Sequence, residues 1–311
     1  MPTVRRLETT LGAVVTDVKL ASMDDVQWQT ILDAFHAHAL LIFPAQHLSD
    51  DEQVQFAERF GDIELLTANP EKKAVAISNK RPDGKAMDSS EFRFRTLRGN
   101  EGWHTDSSYM PLAAKASVLS ALQVPTQGGE TEWADMRDAY DALPDDMREH
   151  IGGLSAYHSL YRSQAKIGHV VQTGDGYGYH NQGAPLRSLV KVHPVTGRRA
   201  LYIGRHAYGI PDLTEDESEA LLDELLASAC QPPRIYAHSW SAGDVIIWDN
   251  RCVLHRARPY DFSEVRVMRH TRVAGDPSTE LAETAPDEFA NGYEPTGSNF
   301  VHPDRYARGE L

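Results

Sequence analysis

The sequence predicts an α+β domain, a barrel or sandwich of short strands with a few flanking helices. Two observations carry that expectation. Segments rich in β-branched and aromatic residues recur between Gly, Pro and Asp stops, and only a few helical stretches interrupt them. Those helices do not alternate with the strands, which argues against a parallel sheet built from βαβ units.

Taken in order, residues 1–65 read as short strand, helix, strand, helix. Ser22-Met23-Asp24-Asp25 has the form of a capping box, and Trp28, Ile31, Leu32 and Phe35 follow at helical spacing. Leu40–Phe43 is an apolar strand stopped by Pro44. Ser49-Asp50-Asp51-Glu52 is a second capping box, with Gly61 as the stop. Thr214-Glu215-Asp216-Glu217 opens a third helix carrying Leu221, Leu222, Leu225 and Leu226. Strands are expected over residues 116–124, 130–133, 200–203, 234–238, 245–248 and 266–273. Residues 79–100 carry Lys80, Arg81, Lys85, Arg93, Arg95 and Arg98, and read either as a solvated loop or as a basic lid over an anion. Residues 1–276 are expected to form one domain, and 277–311 an extended tail or a strap on a neighbouring subunit.

Composition narrows the class. The chain has 311 residues, enough for one large core, and a formal charge of -14, which disfavours nucleic acid or an anionic membrane as partner. No apolar run approaches a bilayer span, and the start has no secretory h-region. Cys230 and Cys252 are too few for a disulfide framework, so a reduced, cytoplasmic setting is expected.

Trp103-His104-Thr105-Asp106 places two potential metal ligands two residues apart. On a strand that spacing points both side chains to one face. Among 14 histidines such a tripeptide arises easily by chance, and a hydrogen-bonded structural histidine is the competing reading. A second strand, following the turn at Trp248-Asp249-Asn250-Arg251, carries His255. Two histidines and one carboxylate cover one face of an octahedron and leave three positions open, which suits Fe(II) oxygenases. A structural zinc site would want four protein ligands, usually with Cys, and neither cysteine is placed for that. A zinc hydrolase with the same three ligands stays chemically open. Eleven residues beyond His255, Arg266 can return beside the metal on a strand and hold a carboxylate bidentately. Thr131, after the Gly128-Gly129 turn, can add a hydroxyl donor.

Together these residues resemble the taurine dioxygenase / 2,4-dichlorophenoxyacetate dioxygenase family. The resemblance runs over nearly all of residues 5–276, through WHTDSSY (103–109), GGETEWADMRDAYDAL (128–143), HPVTGRRALYIG (193–204) and WDNRCVLHRARPYD (248–261). It implies a double-stranded β-helix (jelly-roll) core, with iron on His104, Asp106 and His255. It also implies 2-oxoglutarate as cosubstrate on Thr131 and Arg266, O2 as oxidant, and a homo-oligomer. Within the family the chain is most similar to the (S)-phenoxypropionate, or aryloxyalkanoate, branch, on LGAVVTDVKLA, AISNKRPDGK, LVKVHPVTGRRALYIGRHA and CQPPRIY. Fifteen residues past His255, where the taurine enzyme carries an arginine for the sulfonate, this chain has His270. The implied substrate is therefore a small organic anion bearing an aromatic ether, with His206, His270, a base from residues 79–98 and Asn100 as candidate contacts. An alkylsulfonate, an alkylsulfate or another carboxylate is the alternative for the same chemistry. A β-barrel that binds without catalysis would need a broken triad or a missing anchor, and neither is present.

Overall fold

A computed structural model describes residues 1–88, 90–290 and 292. In chain order the strands are β1 (Thr3–Arg6), β2 (Ala13–Thr16), β3 (Leu40–Phe43), β4 (Val75–Ser78) and β5 (Ala114–Gln123). Next come β6 (Thr131–Asp135), β7 (Ser155–His158), β8 (Ala184–Ser188), β9 (Val190–Val192), β10 (Arg199–Leu201) and β11 (Ala207–Tyr208). The last are β12 (Ile235–His238), β13 (Val245–Asp249), β14 (Val253–Ala257), β15 (Val267–Ala274) and β16 (Thr284–Ala285). Helices α1 (Asp25–His38), α2 (Asp50–Glu58) and α3 (Phe92–Arg98) precede β5. Beyond β6 lie α4 (Met136–Asp141), α5 (Asp145–Ile151), α6 (Leu160–Ala165), α7 (Glu215–Ala229) and α8 (Pro277–Glu280).

A seven-stranded sheet runs β1-β2-β3-β13-β5-β15-β4, antiparallel except where β2 meets β3. Its central strands are apolar on both faces because both are covered. Leu41, Phe43, Val118, Val245 and Ile247 pack against Phe35 of α1, Phe56 of α2 and the following Phe60. Their alternates Leu40, Ile42, Leu119, Ile246 and Trp248 face the second sheet, β12-β6-β14. Trp133 of that sheet meets Trp248 with ring centroids 5.7 Å apart, and both are fully buried. Burying a ring of that size contributes on the order of 5 kcal/mol before the entropy of ordering is subtracted. A four-stranded sheet, β11-β7-β8-β16, and the β9-β10 ribbon complete the strands among the described residues. No helix among those residues is long and apolar enough to cross a membrane.

The helix caps at Ser49 and Thr214 close as capping boxes with Glu52 and Glu217. At α1 the cap is Asp24 with Gln27, two residues later than the sequence suggests. Ser22 is instead spent in a 3₁₀ turn over Leu20–Ser22. Residues 79–100 are not loop throughout. Lys80 bridges Ala86, Arg81 pairs with Glu91, and α3 follows. After residue 276 the chain folds back on its own body: β16 pairs with β8, and Phe289 packs with Tyr161, Val171 and Tyr179. Residues 291 and 293–311, the rest of the expected tail, lie outside the described residues.

Candidate active site

His104 and His255 are opposite one another in an isolated antiparallel bridge and exchange both backbone hydrogen bonds, at 3.0 and 2.7 Å. That pairing sets the two rings 4.1 Å apart by centroid. Asp106, two residues on, reaches the same point, and one ligand atom from each of the three lies within 4.8 Å of the others. The His104 Nδ1 sits 2.7 Å from the Gly102 carbonyl, which takes its proton and leaves Nε2 as a lone-pair donor facing the cluster. Burial, with the neighbouring His255, pushes the His104 imidazole down to about 3. Burial likewise pushes His255 down to about 4. Asp106 behaves oppositely. Burial alone would raise its carboxyl, but the Arg272 guanidinium and the surrounding histidines hold it well below the ordinary range. Two neutral imidazoles and one carboxylate, all deprotonated where a cation would sit, are a donor set fit for a divalent metal.

Residues far away in sequence aim these ligands. Ser117 of β5 donates to Asp106 Oδ2 at 2.6 Å and accepts from the Asn250 amide at 2.9 Å. Asn250 accepts in turn from Trp248 Nε1 at 2.9 Å. Arg272 Nη2 takes the other carboxylate oxygen, Oδ1, at 2.7 Å. The turn before His255 is clamped by Asp249, which accepts from Arg251 and from His193 Nε2 at 3.0 Å. His193, Asp249 and Cys252 also approach as a metal site would. Asp249 is already bound by these two donors, so that group is a structural clamp.

Beside the ligands lies a small chamber of about 80 Å³ that Thr131 and Arg266 line. Strand period explains why Arg266, His270 and Arg272 share it: His270 and Arg272 are alternate residues of β15, and Arg266, just before the strand, keeps the same phase. Arg266 is buried, makes no ion pair among the described residues, and its Nε has no hydrogen-bond partner. Burial lowers its guanidinium to about 10, with Tyr260 and Glu130 opposing. A desolvated cation of this kind costs several kcal/mol unless an anion arrives to pair with it. Thr131 accepts from Trp240 Nε1 at 3.0 Å, so its own proton is free to donate into the chamber. Gly129 makes the room, since a Cβ there would stand 3.2 Å from Arg266 Nε, at a backbone φ of +71°.

A wider cavity of about 420 Å³ opens from the same ligands towards α3 and the 168–180 stretch. His206, His270 and Asn100 all line it. His206 lies edge-on to His104 at 5.8 Å and contacts Ser163 Oγ through Nδ1 at 2.8 Å. His270 stacks on Trp248 with its Nε2 3.7 Å from Asp106. Burial pushes both imidazoles down, His270 to about 3, so at neutral pH they are neutral hydrogen-bonding groups. The cations of this cavity are arginines. Arg205 and Arg272 escaped the sequence reading, although one adjoins His206 and the other follows His270 by the two-residue step of a strand.

Residues 3–273 match the family described as taurine catabolism dioxygenase TauD, TfdA family. The chain belongs to that family. Among curated relatives of the TauD/TfdA family, an (S)-phenoxypropionate/alpha-ketoglutarate-dioxygenase of Sphingobium herbicidovorans is 51% identical over 282 residues, 89% of this chain and 96% of the relative. An alpha-ketoglutarate-dependent 2,4-dichlorophenoxyacetate dioxygenase of Cupriavidus pinatubonensis is 37% identical, over 87% of this chain and 96% of its own. The solved structure of AAD-2 in complex with Mn(II) and N-oxalylglycine superposes with a TM-score of 0.81 at 35% identity, covering 88% of this chain and 98% of that one. This TauD/TfdA chain is accordingly an alpha-ketoglutarate-dependent dioxygenase.

Proposed function

We propose that the protein is an Fe(II)-dependent enzyme that uses 2-oxoglutarate and O2 to hydroxylate an aryloxyalkanoate next to its ether oxygen, with the (S)-phenoxypropionates preferred. The observation that carries the cosubstrate is Arg266, a buried guanidinium with no ion pair among the described residues, lining one chamber with Thr131 and with three metal-type donors. A dicarboxylate lying between cluster and arginine satisfies both ends. The likeness to the (S)-phenoxypropionate enzyme supports the substrate, as does an aromatic cavity holding Tyr109, Tyr179 and Phe92 together with Arg205 and Arg272.

In this reading His104, Asp106 and His255 hold the iron. When bound, iron supplies activation of O2, coupling decarboxylation of 2-oxoglutarate to oxygen insertion at a C–H bond. The chain's own residues do the rest. Ser117 and Arg272 each hold one oxygen of Asp106 and so orient its carboxylate, Arg266 and Thr131 fix the cosubstrate, and the cavity's arginines and buried histidines hold the substrate carboxylate. Hydroxylation at that carbon gives a hemiketal that collapses to a phenol. A phenoxypropionate, 2-oxoglutarate and O2 become a phenol, pyruvate, succinate and CO2. The two facing sheets are proposed as the double-stranded β-helix of the family, with residues 1–276 as the catalytic domain and 277–290 packed upon it. Two free cysteines fit a reducing, cytoplasmic compartment, and the homo-oligomer rests on the resemblance alone.

The test is a substrate panel with iron-loaded protein: both enantiomers of a phenoxypropionate, a phenoxyacetate, an alkylsulfate and taurine. Phenol matched by succinate, fastest from the (S)-propionate, is expected. Rapid turnover of taurine or the alkylsulfate with no phenol from any ether would sink the reading.

A further inference from the structure

Asp175, Gly176, Tyr177 and Tyr179, in the stretch from Gly168 to Gly183, line the wide cavity, and the course of that stretch is set by a few contacts. Tyr161 holds both ends, with its hydroxyl 3.0 Å from Thr173 Oγ1 and donating to the His180 carbonyl at 2.9 Å. Residues 172–176 are exposed, and the chain then dives inward at Tyr177. Gly178 permits the dive: its φ is +85°, and a Cβ there would lie 2.6 Å from both Leu160 and Tyr109.

Tyr177 lands on the body of the protein at one spot. Its hydroxyl donates to Glu64 Oε1 and lies 2.9 Å from Ser107 Oγ, which donates to Glu64 Oε2 at 2.8 Å. Glu64 is itself fixed, because its backbone N–H donates to the Arg272 carbonyl at 2.9 Å and Ile63 bridges Val273. Arg272 completes the circuit. It donates to Ser107 Oγ at 3.0 Å and to Asp106 Oδ1 at 2.7 Å, and its Cζ stands 5.4 Å from the Tyr177 ring. Ser107 is held at φ 54°, a strained conformation for a side chain with a Cβ, and that strain brings its hydroxyl to the centre of this set.

Resting on the dioxygenase reading above, we propose that residues 168–183 are a lid, that Tyr177 is the latch closing it on Glu64, and that the closed latch positions Arg272 for both Asp106 and the substrate anion. Tyr177 is thus a positioning residue. With the latch open, the guanidinium loses its ring contact and the anchored hydroxyl at Ser107. The substrate anion is then held loosely, and cosubstrate is consumed without substrate oxidation. The cosubstrate anchors, Thr131 and Arg266, make none of the contacts of this circuit, so 2-oxoglutarate binding is spared.

The experiment compares wild type, Tyr177→Phe, Glu64→Ala and Glu64→Gln as full-length, iron-loaded protein. Hydrogen exchange of residues 168–183 is read alongside substrate KM, 2-oxoglutarate KM and the ratio of succinate to oxidised product. Tyr177→Phe and Glu64→Ala should speed exchange in the lid. They should also raise substrate KM about 10-fold, the scale of one hydrogen bond to a charged group. The succinate ratio should climb above one while the 2-oxoglutarate KM and melting temperature hold. Glu64→Gln keeps one acceptor oxygen and should fall between. Lid exchange equal to wild type in Tyr177→Phe would overturn the proposal. Because exchange is read without turnover, the latch stands or falls separately from the choice of phenoxypropionate as substrate.

Discussion

The two halves of the site are built differently. The cosubstrate chamber and His255 hang on β5, β6, β14 and β15, strands with both faces buried or nearly so. His104 and Asp106, in the link before β5, are tied to them by the His104–His255 bridge and by Ser117 and Arg272. The substrate cavity is walled instead by α3, the 168–180 stretch and the link around Arg205 and His206. Strand-borne groups are placed by ladder hydrogen bonds and core packing, so they hold a reacting geometry to fractions of an ångström. Loop-borne groups are free to vary, which is how one chemistry serves many substrates. The prediction is that substitutions in the first half stop the reaction and those in the second redirect it.

The largest effects belong to the ligands. His104→Ala, Asp106→Ala or His255→Ala should abolish Fe(II)-dependent turnover in a protein that still folds by circular dichroism. Full activity in any one variant would mean that the metal is held elsewhere. Arg266→Ala comes next. Removing a charge-assisted contact of roughly 1.5–3 kcal/mol should raise the 2-oxoglutarate KM by about 10- to 100-fold, with substrate preference unchanged. Arg266→Lys should recover only part, since an ammonium lacks the fork. A shift in substrate preference instead would break the division between the halves.

That division also decides what was legible in the sequence. His104, Asp106, His255 and Arg266 could be picked out by motif order, and the structure brings all four to one cluster and its adjoining chamber. The strand expected to carry His104 and Asp106 is, however, a single bridge at His104 followed by a turn at Asp106. The supports of Asp106 could not. Ser117, Asn250 and Arg272 stand 11, 144 and 166 positions away, and a side-chain hydrogen bond over such separations leaves no local pattern. Arg272 had one signal, its even spacing from His270 on β15 and from Arg266 just before it. Helices α4, α5 and α6, of six, seven and six residues, are too short to display a helical period. Of the two readings of residues 79–100, the solvated loop fails, because their order comes from tertiary partners, such as Asn79 donating to the Phe262 and Glu264 carbonyls, while Arg93 does line the wide cavity.

The smallest expected effect on turnover lies at the seam between the halves, on Glu101, where the change is one of stability. It closes the 3₁₀ turn after α3, is 7% exposed, and lines a cleft that also holds Asn100, Tyr260 and Arg266. Burial pushes its carboxyl up to about 7, although Arg98 lies 2.8 Å away and works against the rise. An acid whose folded titration point lies above its unfolded one near 4.5 binds more protons when folded, so stability falls as pH rises between them. The loss is complete by about pH 7 and is on the order of 3 kcal/mol from that displacement. Glu101→Gln is neutral throughout and escapes this loss, whatever the deleted Arg98 contact costs at every pH. The melting temperature of Glu101→Gln relative to wild type should therefore climb by several degrees from pH 4.5 to pH 7 and then level off. A difference that stays flat over that range would mean Glu101 is ionised in the fold at all these pH values, with Arg98 outweighing its burial.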